Sequence, residues 1–217
     1  RAYVVKKGEF RPIILDASMA VKSALRKTSY YREKKQYLAQ LEDSLKRYKH
    51  GEAGIDEIHM NMARFLDGLD TDLVESAVLE YYEGKISAPE KIVYPRALDF
   101  VRQCRKHDRT ILFLSASPEI YVKALNDSLL KQYDAQADFI RGPMFVVENN
   151  CYKAYYDQEN NVLLDKSMTR RMDTAQDKLN ALIAFLDENK IDAEALKRSI
   201  AVGDSDQDES FLRFINN

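Results

Sequence analysis

Three four-residue runs constrain this chain more than any other feature: PIIL at 12–15, ILFL at 111–114 and SIAV at 199–202. Each is apolar almost throughout and ends against a small or acidic residue, Asp16, Ser115 or Gly203. A strand with one wet face alternates polar and apolar positions, whereas a strand covered by helices on both faces does not. The runs therefore predict an α/β fold with a parallel, Rossmann-like sheet as its core. FIRGPMFVV, 139–147, reads as a further strand interrupted by a Gly-Pro turn. NNVLLD, near 161–166, reads as part of a hairpin with the Tyr-rich segment before it.

Between the first two runs the strand signal gives way to helical spacing. Leu38, Leu41, Leu45 and Tyr48 recur at intervals of three and four, as do Ile55, Ile58, Met62, Phe65 and Leu69. Leu73, Val74, Ala77, Val78 and Tyr81 repeat the pattern. Three amphipathic helices that bury their stripes against each other are expected. The stretch 22–91 then forms a helical cap inserted after the first strand, with the α/β core built from 1–21 and 92–217. Pro89 and Pro95 close the insertion, because proline stops and restarts helices. Leu98, Val101 and Cys104 mark a helix leading back to the second strand. Pro118 and Glu119 open another, with proline in the first turn and an acid favoured by the dipole. Residues 173–187 read as a helix with Leu179, Leu182 and Leu186 inward.

Composition narrows the function classes. Hydrophobic residues make up 45% and charged residues 31%, the profile of an ordinary globular protein. Lys and Arg number 33 against 35 Asp and Glu, a net charge of -2, so no bulk field attracts nucleic acid or an anionic membrane. The basic run KRYKH, 46–50, is too short for a nucleic-acid footprint. Cys104 and Cys151 form neither a disulfide framework nor a metal-ligand spacing, which points to a reducing, cytoplasmic setting. No apolar run approaches the roughly 20 residues that span a bilayer. The chain opens on Arg1 rather than Met, which leaves room for a targeting segment upstream.

Chemistry concentrates at the ends of the apolar runs, where ligands of a doubly wound sheet bind. Asp16, Ser115, Asp204 and Asp208 lie there. Asp16 and Asp204 would converge if their strands were neighbours, giving a hard oxygen site suited to Mg²⁺. DSDQDES, 204–210, shares its alternating acids with a Ca²⁺ loop. It fails that pattern where Glu209 replaces the required Gly and Ile215 the bidentate Glu. Asp206 and Glu209 read as acids finishing a helix start.

The segments LDASMAV, ILFLSASPE, DKL and AVGDSDQD, in that order and with a helical insertion between the first two, resemble the haloacid dehalogenase superfamily. The likeness is to its phosphoserine-phosphatase-like branch with a helical cap. The resemblance implies a Mg²⁺-dependent hydrolase acting on a small phosphate monoester through an aspartyl phosphate. It makes Asp16 the nucleophile, and Ser115, with the Ala116 amide, the holder of phosphate. Lys178 becomes the cation neutralising phosphate and nucleophile. Asp16, the Ser18 carbonyl, Asp204 and Asp208 become the metal ligands, Asp208 also orienting Lys178 or the metal's waters.

The first motif departs from the family where an acid-base Asp is usual and this chain has Ser18. A hydroxyl lacks the proton affinity for that role, and the roughly 10²- to 10⁴-fold it contributes should be missing. Three readings stay open: a phosphatase with another proton shuttle, a pseudo-phosphatase that binds a phosphorylated ligand or partner without turnover, and an engineered change at residue 18. Phosphoserine-specific relatives carry a carboxylate at the mouth of the cap, but 19–32 holds none. Lys22, Arg26, Lys27 and Arg32 stand there instead, pointing to a solvated basic helix or to a substrate anionic beyond its phosphate. His50, His59 and His107 have no ligand spacing and read as surface or packing residues. The chain stops soon after the fourth motif, and an exposed strand edge there would invite a dimer or a longer parent protein.

Overall fold

The computed structural model describes residues 3–4, 13–26, 30–157, 159, 162–192, 195, 199–203 and 208–216; side chains are not described at 3–4, 13–16, 31, 49, 91, 162 and 216. The chain divides into two compact units, Pro12–Arg171 on one side and Arg1–Arg11 with Met172–Asn217 on the other.

The larger unit opens with α1 (Ile13–Leu25), α2 (Tyr30–Lys49), α3 (Ile55–Leu66) and α4 (Thr71–Glu83). The last three are the amphipathic helices expected from the spacing, and Leu38, Leu41, Ile58, Met62, Phe65 and Val74 from their stripes are buried. Asp70 starts α4 by accepting from the amides of Asp72 at 2.9 Å and Leu73 at 3.1 Å, satisfying donors that a helix start leaves open. Pro89 begins a 3₁₀ turn and Pro95 begins α5 (Pro95–Lys106), as proline in a first turn allows.

The strand expected over 12–15 is not there. Residues 13–25 form α1, because Ala17, Val21 and Leu25 continue a stripe of helical spacing and all three are buried. An apolar run of four does not by itself separate strand from helix, and the four-residue repeat that follows it settles the matter. Asp16 is consequently the fourth residue of a helix rather than the residue after a strand.

Next come β2 (Leu112–Leu114), α6 (Glu119–Leu125) continuing through a π turn, Asn126–Leu130, and β3 (Phe139–Arg141). β2 and β3 pair in parallel, Leu112 opposite Phe139 and Leu114 opposite Arg141. Their helical cover includes Val122, which packs with Ile111, Ala137 and Ile140. Gly142 and Pro143 break the FIRGPMFVV run, and β4 (Met144–Glu148) leaves in a different sheet, antiparallel to β5 (Cys151–Lys153) and β8 (Met168–Arg170). Asn149 and Asn150 turn β4 into β5 with φ of 50° and 64°, the left-handed region asparagine tolerates. The expected hairpin is β6 (Tyr156–Asp157) with β7 (Val162–Leu163).

The smaller unit holds β1 (Tyr3–Val4), α7 (Ala175–Glu188), β9 (Val202–Gly203) and α8 (Glu209–Asn216). β1 and β9 are parallel, Tyr3 opposite Val202 and Val4 opposite Gly203. The parallel partner of the SIAV run is thus Tyr3–Val4, a stretch too short to stand out by pattern. α7 starts at a reciprocal capping box, Thr174 accepting from the Asp177 amide while the Asp177 carboxylate accepts from the Thr174 amide. Asp204 to Gln207 lie outside the described residues. Among the described residues no helix is long and apolar enough to cross a membrane.

The meeting of α1, α3 and α6 generates a test. Ser18 is fully buried, its Oγ 3.4 Å from the Tyr121 hydroxyl and 3.8 Å from Met62 Sδ, and Tyr121 donates to the same sulfur at 3.5 Å. Ser18→Ala should cost no more than about 1.5 kcal/mol, the net worth of one neutral hydrogen bond. Ser18→Asp would strand a carboxylate there and should cost at least about 3 kcal/mol, read from urea unfolding at pH 7.

Candidate functional site

In the larger unit the loop that follows β2 is built almost wholly from backbone bonds. The Ser115 amide donates to the Arg141 carbonyl at 3.0 Å, extending the β2–β3 pairing by one residue. Ser115 Oγ accepts from the Ser117 amide at 3.0 Å, a local serine turn, and does not cap α6, whose N-cap is Pro118. The Glu119 amide donates to the Pro143 carbonyl at 3.0 Å. A Cβ at Gly142 would stand 2.7 Å from the Ser117 carbonyl oxygen and 2.9 Å from the Glu119 nitrogen, so only glycine lets the two loops touch. The loops after β2 and β3 therefore fix each other.

Glu119 fastens that junction. Its side chain is only 8% exposed and lies 2.7 Å from Lys123 Nζ and 2.5 Å from Arg170 Nη1. It also accepts from the Gly142 amide at 3.2 Å. Burial pushes its carboxyl upward, but the Lys123 bond and charge, the Gly142 amide and Arg170 together hold it below the usual glutamate range. From α3, buried His59 places Nε2 2.6 Å from the Ala116 carbonyl oxygen. A carbonyl only accepts, so Nε2 carries the hydrogen.

In the smaller unit Lys178, on the first turn of α7, donates to Asp208 Oδ1 at 2.5 Å, with both side chains 6% exposed. Gly203 makes room for the acid: a Cβ there would come 2.5 Å from Asp208 Cβ. The Lys178 and Asp208 expected from the DKL and AVGDSDQD segments are thus joined. Asp204 lies outside the described residues, and the Asp16 side chain is not described.

Of the residues expected to hold a metal, the Asp16 side chain and Asp204 lie outside what is described, and only the Ser18 carbonyl and Asp208 can be placed. The Ser18 carbonyl lies inside α1, where it faces the Lys22 amide one turn on. Asp208 pairs through Oδ1 with Lys178. Among the described residues no three His, Cys, Asp or Glu side chains converge on a point that could hold an ion. Of the basic residues near the start of the module, Lys22 stands 3.9 Å from Glu42, Arg26 and Arg32 are exposed, and Lys27 lies outside the described residues.

By sequence pattern Glu119 is only a dipole partner, His59 a surface or packing residue and Gly142 part of a turn, and Arg170 has no role. A signal for His59 exists, since it follows Ile55 by four residues on a buried face. Arg170 has none, because its partner is 51 residues away.

The two buried carboxylates can be tested separately. Lys178→Met should destabilise the protein by about 3–5 kcal/mol by leaving a buried carboxylate unpaired, and Lys178→Met/Asp208→Leu should recover most of the loss, both read by urea unfolding. Glu119 is deprotonated in the folded state at pH values where the unfolded chain binds a proton. Its contribution is therefore full above the ordinary glutamate range and fades as pH falls through the lowered folded value. The stability gap between wild type and Glu119→Gln should accordingly shrink on acidification from pH 7 to below about 4, in urea midpoints taken across that range.

The profile of haloacid dehalogenase-like hydrolases matches residues 14–213. No curated protein matches the chain. Among solved structures, a HAD family hydrolase from Salmonella enterica subsp. enterica serovar Typhi superposes with a TM-score of 0.50 at 13% identity, over 89% of this chain and 54% of its own. A probable phosphoserine phosphatase from Vibrio cholerae, in its unliganded form, superposes with a TM-score of 0.52 at 11% identity, over 98% of this chain and 53% of its own. The chain spans about half the length of either, and at such identities the likeness is one of fold. With the profile running from α1 through the ILFLSASPE loop and the Lys178–Asp208 pair to α8, the chain belongs to the haloacid dehalogenase-like hydrolase family.

Proposed function

We propose that this family member is a phosphatase-type hydrolase acting on a small phosphate monoester. The observation that carries the reading is the Lys178–Asp208 pair beside the end of β9. An ammonium fixed by one carboxylate keeps two further N–H donors and is pre-aimed for anionic oxygens, without reorganising when charge develops. The Ser115 loop supports the same reading: its hydroxyl already accepts from the Ser117 amide, which leaves its own hydrogen, among the described residues, to donate to an anion.

In the proposed reaction a carboxylate oxygen attacks phosphorus, the ester P–O bond breaks, and the leaving oxygen takes a proton from solvent water. Water then attacks the acyl phosphate to release phosphate and restore the carboxylate. Asp16 is the acid that the order of motifs offers for this role. A magnesium requirement and an anionic character of the substrate beyond its phosphate belong to the same proposal.

One observation favours a second reading, a binder of phosphorylated ligands without turnover. Asp16 sits within α1, and Ser18 is sealed between Tyr121 and Met62, so residue 18 cannot reach a leaving group. The readings separate in one experiment: phosphate release from a panel of phosphate monoesters, with and without Mg²⁺, by wild type, Asp16→Asn, Ser115→Ala and Lys178→Met. The phosphatase reading expects turnover that Asp16→Asn abolishes and that Ser115→Ala lowers by roughly 10²- to 10³-fold. Turnover that survives in Asp16→Asn moves the nucleophile elsewhere. Absence of turnover in wild type, with inorganic phosphate still raising Tm, establishes the binder.

A further inference from the structure

We infer that His59 is a positioning residue that sets the phosphate-holding hydroxyl of Ser115 from a distance, through one peptide group. The inference rests on the reading of Ser115 as a phosphate holder, and it goes beyond that reading by giving the helical module a share in the site.

The chain of contacts is continuous. His59 Nε2–H donates to the Ala116 carbonyl at 2.6 Å, and the other half of that same peptide group, the Ser117 N–H, donates to Ser115 Oγ at 3.0 Å. A donor on the carbonyl polarises the peptide and strengthens what its N–H gives, the cooperativity expected of hydrogen bonds in series. Ser115 Oγ, filled as an acceptor from behind, is left to point its hydrogen forward.

The setting makes the bond costly to lose. His59 is fully buried on α3, beside Met62, which belongs to the Ser18–Tyr121 contact. Its neighbours on that face, Ile55, Ile58 and Met62, are buried, so water is poorly placed to replace the missing donor. The next peptide group, 117–118, packs against Gly142, where a Cβ would stand 2.7 Å from the Ser117 carbonyl oxygen, so the loop has little freedom there. His59 adds a contact from α3 to a loop otherwise fixed by the strand ends. A residue that merely filled space on α3 would be replaceable by any side chain of its size, whereas a donor to the loop is replaceable only by another donor.

The test compares His59→Leu, which removes the donor, with His59→Gln, which offers an amide N–H near the place of Nε2. Leu41→Ala, in the core of α2, serves as a control for general destabilisation. Orthophosphate affinity is measured by calorimetry, and exchange of the Ser117 amide by NMR, in all four proteins. His59→Leu should bind orthophosphate roughly fivefold to tenfold more weakly and lose Ser117 protection, as deletion of a single hydrogen bond predicts. His59→Gln should stay within roughly threefold of wild type on the same scale. Leu41→Ala should keep both affinity and Ser117 protection despite its lower Tm. Equal affinity and protection in wild type and His59→Leu, or an equal loss in Leu41→Ala, overturns the inference. Failure of wild type to bind orthophosphate overturns the phosphate-holding reading itself, and a Ser117 amide protected in wild type and His59→Gln but not in His59→Leu would still establish the His59 link.

Discussion

Lys178 and Asp208 cannot be buried separately. Either charge alone in a low-dielectric interior would cost several kcal/mol, and both are nearly inaccessible. The pair therefore ties α7 to α8 and requires Gly203, since a side chain at the end of β9 would take the space of the acid. One ion pair thus joins the first turn of α7, the end of β9 and the start of α8 in the smaller unit.

The loops after β2 and β3 are joined by backbone bonds together with the buried charge of Glu119. A parallel pair needs long crossovers, and here the crossover runs through α6 and its π turn before returning as β3. What positions Ser115 is the contact between the two strand ends: Ser115 to Arg141, Glu119 to Pro143, and Glu119 across to Gly142 and Arg170. Glu119 satisfies donors from three elements at once, which explains how a buried acid stays ionised.

Much of this architecture is legible in the sequence alone. The stripes of α2, α3 and α4 announce themselves because helical spacing persists over three or more turns, and the Gly-Pro break between β3 and β4 does so because proline cannot continue a ladder. Lys178 and Asp208 are picked out by their order along the chain. PIIL misleads because four apolar residues fit a strand or a helix equally, and the deciding repeat of Ala17, Val21 and Leu25 has small or spaced members that do not catch the eye. Tyr3–Val4 is too short to register. Arg170, Gly142 and His59 are illegible as site residues because their meaning lies in partners far along the chain, and a sequence displays only local neighbours.

Stability alone does not account for the polar groups this fold buries. A buried ion pair is commonly no better than an apolar pair of the same volume, and a histidine inside an apolar helix face gives up packing that a leucine would supply. Ser18, by contrast, behaves as a structural residue, small enough to let α1, α3 and α6 meet and polar enough to answer Tyr121. The distinction separates the two kinds of buried polarity. Ser18 turns inward to a sulfur and a phenol and is spent there, while Lys178 and Ser115 each have one bond fixed and donor capacity left over. Groups held in place with capacity to spare are what recognition of an anion requires. On that ground Lys178 and Ser115, the residues proposed to hold a phosphoryl group, differ in kind from Ser18, the part of the first motif that lies in the core.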